Sequence, residues 1–426
     1  MENAGKRGIL AVACTALLLF VPAYAQFQIS PLAHLVMPAY GIDHAQFAIL
    51  VSSTMILGIF LSLVAGLLCD KFGTRAVIGI SAIASAIALI VRVFATDYAT
   101  LFVCMTAAGF VATFINANVA KIMGSWFAPD KTGLAVGIAF SGTTVGLAVA
   151  MSTSALFDSL EAIFALTAIL AVAGTIAWWV LFREGPYKSG SVEDDKSNSR
   201  QQPSLVECLK VAIKSRNVWL LGIVVALAMA ATMCITTFLP QVLQTIHGYD
   251  PASAGALTSL FTFGNLAGTI VTPIVIMKLR RFKPVVIVMA LVAALGTFFA
   301  WQLSSQIAMG VALFITGFAM NGIIAATVAQ PILLPEIGPT YAGTAGGIVA
   351  TLQLSGAVII PSYIVVPLVG ANYPVLYAIA AAFCVAAAAV VFGLPDAVAD
   401  QAHVQQDAEK TRQTPAVVSQ MTSDVL

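Results

Sequence analysis

The apolar residues of this chain come in long runs, and polar residues are gathered into the short segments between them. Twelve runs of about 20 residues or more lie near 9–31, 46–68, 76–95, 99–124, 133–155, 161–182, 217–241, 253–277, 285–303, 307–333, 341–368 and 373–394. A helix rises about 1.5 Å per residue, so about 20 apolar residues cross the roughly 30 Å hydrocarbon layer of a bilayer. Inside that layer a helix satisfies its own backbone hydrogen bonds, which an isolated extended segment cannot do. The pattern predicts an all-α integral membrane protein with twelve transmembrane helices. The longest polar stretch, Arg183 to Arg216, separates six runs from six. Two pseudo-symmetric six-helix halves follow, residues 1–182 and 217–394, with a central loop at 183–216 and a disordered tail at 395–426.

Two segments need a closer reading. Lys6 and Arg7 precede the first run, and Ala23-Tyr24-Ala25 resembles a small-x-small cleavage site. The apolar character continues through Ile29, Leu32 and Leu35, and removal would leave eleven spans, so the first run is read as an uncleaved helix. In the central loop Ser204 and Glu207 have capping-box spacing. Leu205, Leu209, Ala212 and Ile213 then share one stripe, which predicts a short amphipathic helix leading into the seventh span.

Composition agrees with the pattern: 60% of residues are hydrophobic and 9% charged, against about 25% charged in soluble domains. The net charge of +1 says little, but its placement says much. Of the 20 Lys and Arg residues, only Arg92 and Lys121 fall within runs. The others lie in segments on one side of a twelve-span layout, the side of both termini. The opposite loops carry Asp43, Asp97, Asp158 and Asp250 and no basic residue. The positive-inside rule then puts both termini in the cytoplasm of a multi-pass inner (plasma) membrane protein. No basic domain exists to bind nucleic acid. The six cysteines, at 14, 69, 104, 208, 234 and 384, have no metal-ligand spacing and read as reduced small hydrophobes. The polar segments hold no paired carboxylates, His/Cys cluster or phosphate loop, so neither an enzyme nor a cofactor is expected.

After the second run comes GLLCDKFGTR, residues 66–75, which fits G-x3-D-[RK]-x-G-x-[RK] at every fixed position. Gly66 would permit close helix approach, and Asp70 would place a carboxylate at a helix end. Gly73 would make the turn, with Lys71 and Arg75 anchoring the inner surface. This stretch resembles the signature loop of the major facilitator superfamily, in position as well as spacing. The repeat after the eighth run, residues 268–284, keeps the glycine and the basic residues but lacks the acid. WFAPDKTGLA, residues 126–135, resembles the loop between helices four and five of the organic-anion and nitrate/cyanate branches. LKVAIKSRNVWLL, residues 209–221, is similar to the entry to helix seven of the oxalate/formate exchangers. The resemblance implies two halves around a central cavity, with Gly66, Asp70, Lys71, Gly73 and Arg75 as gate parts. Family arginines are missing: the helix-four position falls at Met105, and spans eight and eleven hold no basic residue. The nitrate branch's glycine–asparagine signature is absent from span five.

Ionisable groups inside a membrane are functional suspects. Arg92, near the outer end of a peripheral helix, is expected to snorkel. Lys121 shares a helical face with Phe114, Asn118 and Ser125, and could meet an anionic substrate, snorkel, or pair with a loop acid. No carboxylate lies deep in any run, which favours exchange, uniport or a substrate carrying its own proton. The candidate substrate-binding set is Tyr24, Gln28, Asn118, Lys121, Thr232, Thr236, Asn321 and Gln353; each polar group could instead close a helix–helix hydrogen bond. The expected function is a monomeric secondary active or facilitative transporter. Its substrate would be a small organic solute, an anion such as a carboxylate, moved by alternating access as in an antiporter. The competing readings are a carrier for a neutral or drug-like solute and a non-transporting sensor on the same fold.

Overall fold

The computed structural model describes residues 2–127, 129–157, 159–185, 205–334 and 336–395. Among them, twelve helices are long and apolar enough to cross a membrane. The first half contains α1 (Glu2–Phe27), α2 (Ala33–Tyr40), α3 (His44–Phe72), α4 (Thr74–Arg92), α5 (Tyr98–Ala108), α6 (Phe110–Gly124), α7 (Pro129–Thr153) and α8 (Leu160–Leu181). After α9 (Leu205–Lys214), the second half contains α10 (Arg216–His247), α11 (Pro251–Leu279), α12 (Lys283–Phe299), α13 (Gln306–Val328), α14 (Gly338–Ile359), α15 (Val366–Val369) and α16 (Tyr373–Phe392). Spans four and eleven are each built from two helical pieces, α5 with α6 and α14 with α15.

The bundle has a basic and an acidic end. The turn at Gly73, helix α9 and the turn after α11 lie at one end, with Lys71, Arg75, Lys278 and Arg280. At the other end three aspartates start helices. The side chains of Asp43, Asp97 and Asp250 accept the backbone N–H of Gln46, Thr100 and Ser253, capping α3, α5 and α11. An N-cap carboxylate both satisfies an orphan N–H and complements the helix dipole.

Several runs are not single straight helices. The first ends at Phe27, not near residue 31, because Pro31 cannot continue the ladder; the chain turns and re-forms as α2. The fourth run breaks at Gly109, between α5 and α6. Around Pro361 the eleventh passes through a π-helical turn, Ile360–Val365, before α15.

Close backbone approaches mark the two halves as repeats. A Cβ at Gly109 would overlap the Thr54 carbonyl, and one at Gly317 would overlap that of Phe261. Thr54 and Phe261 are 207 positions apart, and Gly109 and Gly317 are 208 apart. Likewise Gly142 lies on Ala16 of α1, and Gly356 lies on Ala226 of α10. With no hydrophobic force between helices in lipid, such small-residue contacts let dispersion and weak polar contacts hold the bundle.

Candidate translocation pathway and its gates

The halves meet at the acidic end through two pairs of serines. Ser52 Oγ of α3 lies 2.8 Å from Ser362 Oγ in the π turn, and Ser362 Oγ also donates to Ala48 O at 3.0 Å. Ser152 Oγ of α7 lies 2.6 Å from Ser259 Oγ of α11, which also bonds Ala148 O at 2.9 Å. Ser52 and Ser259 are 207 positions apart, and Ser152 and Ser362 are 210 apart. The two pairs are therefore one contact repeated by the pseudo-symmetry. Gln244 Nε2 of α10 adds a bond to Pro31 O at 2.9 Å. A Cβ at Gly255 would overlap the Met151 carbonyl, so α7 and α11 touch backbone to backbone.

The same helices part toward the basic end. A Cβ at Gly58 of α3 would sit 3.2 Å from Leu354 of α14 and 3.6 Å from Thr113 of α6. Two turns further along α3, a Cβ at Gly66 would meet nothing within 4 Å among the described residues; nor would one at Gly137 of α7 or at Gly346 and Gly347 of α14. Among the described residues the expected close approach at Gly66 is therefore not made.

The predicted polar set does not converge on one site. Tyr24 Oη lies 3.0 Å from Thr153 Oγ1 of α7. Asn118 Nδ2 donates to Phe114 O at 2.9 Å and Ala65 O at 3.3 Å. Thr232 Oγ1 bonds Ala228 O at 2.9 Å and touches Met320 Sδ at 3.5 Å. Thr236 bonds back to Thr232 O at 2.9 Å. Asn321 Nδ2 reaches Thr269 Oγ1 at 3.0 Å and Asn265 O at 3.3 Å. Gln353 is half-buried on α14. Most of these groups close contacts within their own half. Asn116, two residues before Asn118, is the exposed asparagine of α6, and lies one turn on from Thr113, whose hydroxyl is near Gly58 of α3.

Arg92 does not snorkel. It is fully buried among α1, α4, α5 and α8, with Nη1 on Ala25 O at 3.2 Å and on Met105 Sδ at 3.1 Å. Its guanidinium stacks 4.3 Å from the centre of the Phe164 ring. Gln28, also fully buried, places its amide nitrogen 2.6 Å from Thr167 Oγ1 and accepts both Arg92 Nη groups on its oxygen. Ala25 is in the last turn of α1, so Arg92 faces the negative end of a helix dipole. Sequence distance to the span end missed this, because an arginine one helix away can reach an orphan carbonyl inward as easily as water outward.

At the basic end the signature loop is tied into its own half. Gly73 has φ 85°, which permits the turn between α3 and α4. Arg75 Nη2 donates to Trp179 O at 2.7 Å, and its guanidinium lies 5.8 Å over the Trp179 ring. The Arg75 backbone N–H meets Glu184 Oε1 at 3.4 Å. Lys71 lies 5.2 Å over Phe72. Lys121 Nζ donates to Cys69 O at 3.3 Å, in the last turns of α3. The side chain of Asp70 lies outside the described residues, as do Ser204, where the capping box is expected, and the tail from 396. Among the described residues no group of three His, Cys, Asp or Glu could hold a metal ion.

Twelve helices in two repeated halves, clasped at one end and parted at the other, define the fold of a membrane carrier. The sequence matches the Major Facilitator Superfamily over residues 10–361, and the chain belongs to that family. It is 25% identical over 240 residues to the probable nitrate/nitrite transporter NarK2 of Mycobacterium tuberculosis, covering 55% of this chain and 57% of that one. It is 23% identical over 240 residues to the probable nitrate/nitrite antiporter NarK1 of Thermus thermophilus, covering 53% and 51%. The chain thus spans just over half the length of these curated relatives. Its fold matches a bacterial homologue of the lysosomal transporter Spinster with a TM-score of 0.72 at 14% identity, covering 91% of this chain and 96% of that one. The nucleoside transporter NupG matches equally, with a TM-score of 0.72 at 14% identity, covering 90% and 99%.

Proposed function

We propose that this chain is a carrier, not an enzyme, that moves a small anion across the cell membrane by alternating access. The observation that carries the reading is the asymmetry of the interface between halves: serine pairs join them at the acidic end, and open glycine faces separate them at the basic end. Solute would enter or leave at the basic end in this conformer. The clasp must break, and the glycine faces must meet, for the opposite access. The basic loops and both termini are cytoplasmic in this reading, so the state is inward-open.

Charge supports an anion. Among the described residues no carboxylate lies against the buried Arg92, and no carboxylate lies deep in an apolar run of the sequence. A cation would meet an unfavourable interior. The relatives named for nitrate and nitrite favour a small oxyanion, and the short carboxylates share its planar, acceptor-only chemistry. We assign solute contact to Asn116, Gln353 and the Lys121 region of the pathway, and gate roles to Asp70, Lys71 and Arg75. Lacking a deep carboxylate to titrate, the carrier would exchange one anion for another. A second reading has one observation in favour: a cleft of about 630 Å³ between α1 and α7, lined by apolar side chains such as Val12, Phe20 and Ile138, suits a neutral or drug-like solute.

Uptake into proteoliposomes separates these readings. Labelled nitrate, nitrite, formate and oxalate are offered with the same unlabelled anions inside. Counterflow of one or more is expected. Uptake of none of them, with saturable uptake of an apolar cation or neutral solute, would reject the anion reading.

A further inference from the structure

A cleft of about 760 Å³ opens at the acidic end, between the halves and away from the parted basic end. His34 of α2 and His44 at the start of α3 form one wall. Gln241 and Gln244 of α10, with Asn372 and Tyr373 at the start of α16, form the other.

Two of the three amides that line this cleft, Gln241 and Asn372, spend their oxygens within the protein. Gln241 is only 6% exposed; its Oε1 accepts the Tyr373 hydroxyl at 3.3 Å, while its Nε2 is buried without a partner. Asn372 spends its Oδ1 on the backbone N–H of Val375, as the N-cap of α16. His44 Nδ1 is likewise buried without a partner, and its ring is held 6.0 Å from Tyr373 and 6.3 Å from Phe238, centre to centre. Gln244 spends its nitrogen on Pro31 O, across the interface. The neighbouring carboxylate, Asp43, is engaged with the N–H of Gln46 at 2.7 Å. Buried polar groups without partners are costly; a bound acceptor removes that cost for the Gln241 amide N–H, and for His44 in the tautomer that carries its proton on Nδ1. Apart from Thr245, the rest of the wall is apolar, with Ala33, Met37 and Ile246, which suits a flat, weakly hydrated ion better than a strongly hydrated tetrahedral one.

We infer that this cleft is a second anion site, taking a small planar oxyanion of the nitrate or carboxylate kind from the acidic-end side, and that the bound anion holds the two halves together there. The donors come from both halves, His44 from one and Gln241 from the other. They converge only while the serine pairs are closed, so an anion between them favours this conformer over its opposite. High solute on that side would then slow the carrier instead of saturating it.

The test reads conformation, so it is independent of whether any solute crosses. Spin labels replace the exposed residues Ala39 and Ser304, one on each half at the acidic end. Distances are measured in phosphatidylcholine nanodiscs as nitrate is raised to about 100 mM. The expected result is a growing short-distance population, with the half-effect concentration at least tenfold higher in Gln241→Leu and in His44→Phe. Either substitution keeps the volume and removes the donor, and His44→Phe keeps the ring packing should Gln241→Leu fold poorly. No response in the unsubstituted protein, or equal half-effect concentrations in protein and variants, would overturn the assignment. So would the same response to anionic lipid without nitrate, since the occupant would then be a headgroup. Normal anion counterflow beside any of these results would leave the carrier reading standing and remove only the second site.

Discussion

At the residue scale, Arg92 shows how a lone cation can be kept inside a membrane bundle. Its fork meets an orphan carbonyl of α1, the Gln28 oxygen and the face of Phe164, so dipole, amide and quadrupole replace a carboxylate. A lysine cannot reproduce a planar fork. Arg92→Lys should lower stability by about 1–3 kcal/mol, the cost of leaving a buried polar group unsatisfied. The check is the unfolding midpoint in detergent; an unchanged midpoint would mean that the guanidinium contacts contribute nothing. Asp97 sets a different expectation. The hydroxyl and backbone N–H of Thr100 hold its carboxyl below the usual range. With the folded pKa lowered, its stabilising effect is fully present above the unfolded value of about 3.9 and lost as pH falls through the folded one. Thermal midpoints should be level from about pH 8 to 5 and fall below about pH 4, and Asp97→Asn should flatten part of that fall.

The sequence was least informative at this scale. Asn116 and Asn118 are both asparagines on one helix, and only the packing of α6 on α3 decides that Asn118 is buried and Asn116 exposed. Ser52 and Ser362 lie 310 positions apart. A serine in a membrane helix ordinarily bonds its own backbone one turn back, as Thr15 does to Ala11 O at 2.7 Å, so nothing local singles out the four that join the halves. Pseudo-symmetric spacing was the signal available: a small hydroxyl recurring about 207 to 210 positions later, on the helices that pair across the interface.

At the scale of elements, the spans were legible because an apolar run needs no periodicity to be recognised, only length. The breaks inside runs were not. Gly109 and Pro361 interrupt helices whose apolar character continues, and Pro31 turns the chain before the apolar run has ended. Glycine, by contrast, divides into two kinds that predict opposite outcomes. Gly317 is locked against the Phe261 carbonyl, so Gly317→Ala should fail to give folded protein, as read by size-exclusion profile after extraction. Gly346 faces open space, so Gly346→Leu should fold with a normal profile. It should nevertheless slow counterflow by about tenfold or more, because the added side chain obstructs closure at the basic end. Wild-type counterflow in Gly346→Leu would argue that α14 does not close there.

At the scale of the whole molecule, the proposed cycle has the two repeated halves rock against each other, and the serine pairs are among the contacts that would bias which end is open. Each serine pair is a neutral hydrogen bond of about 0.5–1.5 kcal/mol, a roughly two- to tenfold bias in the equilibrium between conformers. Ser52→Ala and Ser152→Ala act on separate contacts and should add. The double variant should raise the reactivity of a cysteine placed at Ala48, buried within the clasp, toward a membrane-impermeant thiol reagent added at the acidic end. Neighbouring closures such as Gln244 on Pro31 would hold part of the bias, so the rise should be graded and not complete.

The most direct test of alternating access through this clasp is to make it covalent. Ser52 and Ser362 are replaced by cysteine, and anion counterflow is measured in proteoliposomes before and after oxidation and again after reduction. The hydroxyls stand 2.8 Å apart, close enough for the replacing sulfurs to bond. Counterflow is predicted to stop in the oxidised protein and to return with reductant, because the acidic end cannot open while the bond is made. Undiminished counterflow in protein shown to be cross-linked would contradict the account, since solute would be passing without the halves ever parting at that end.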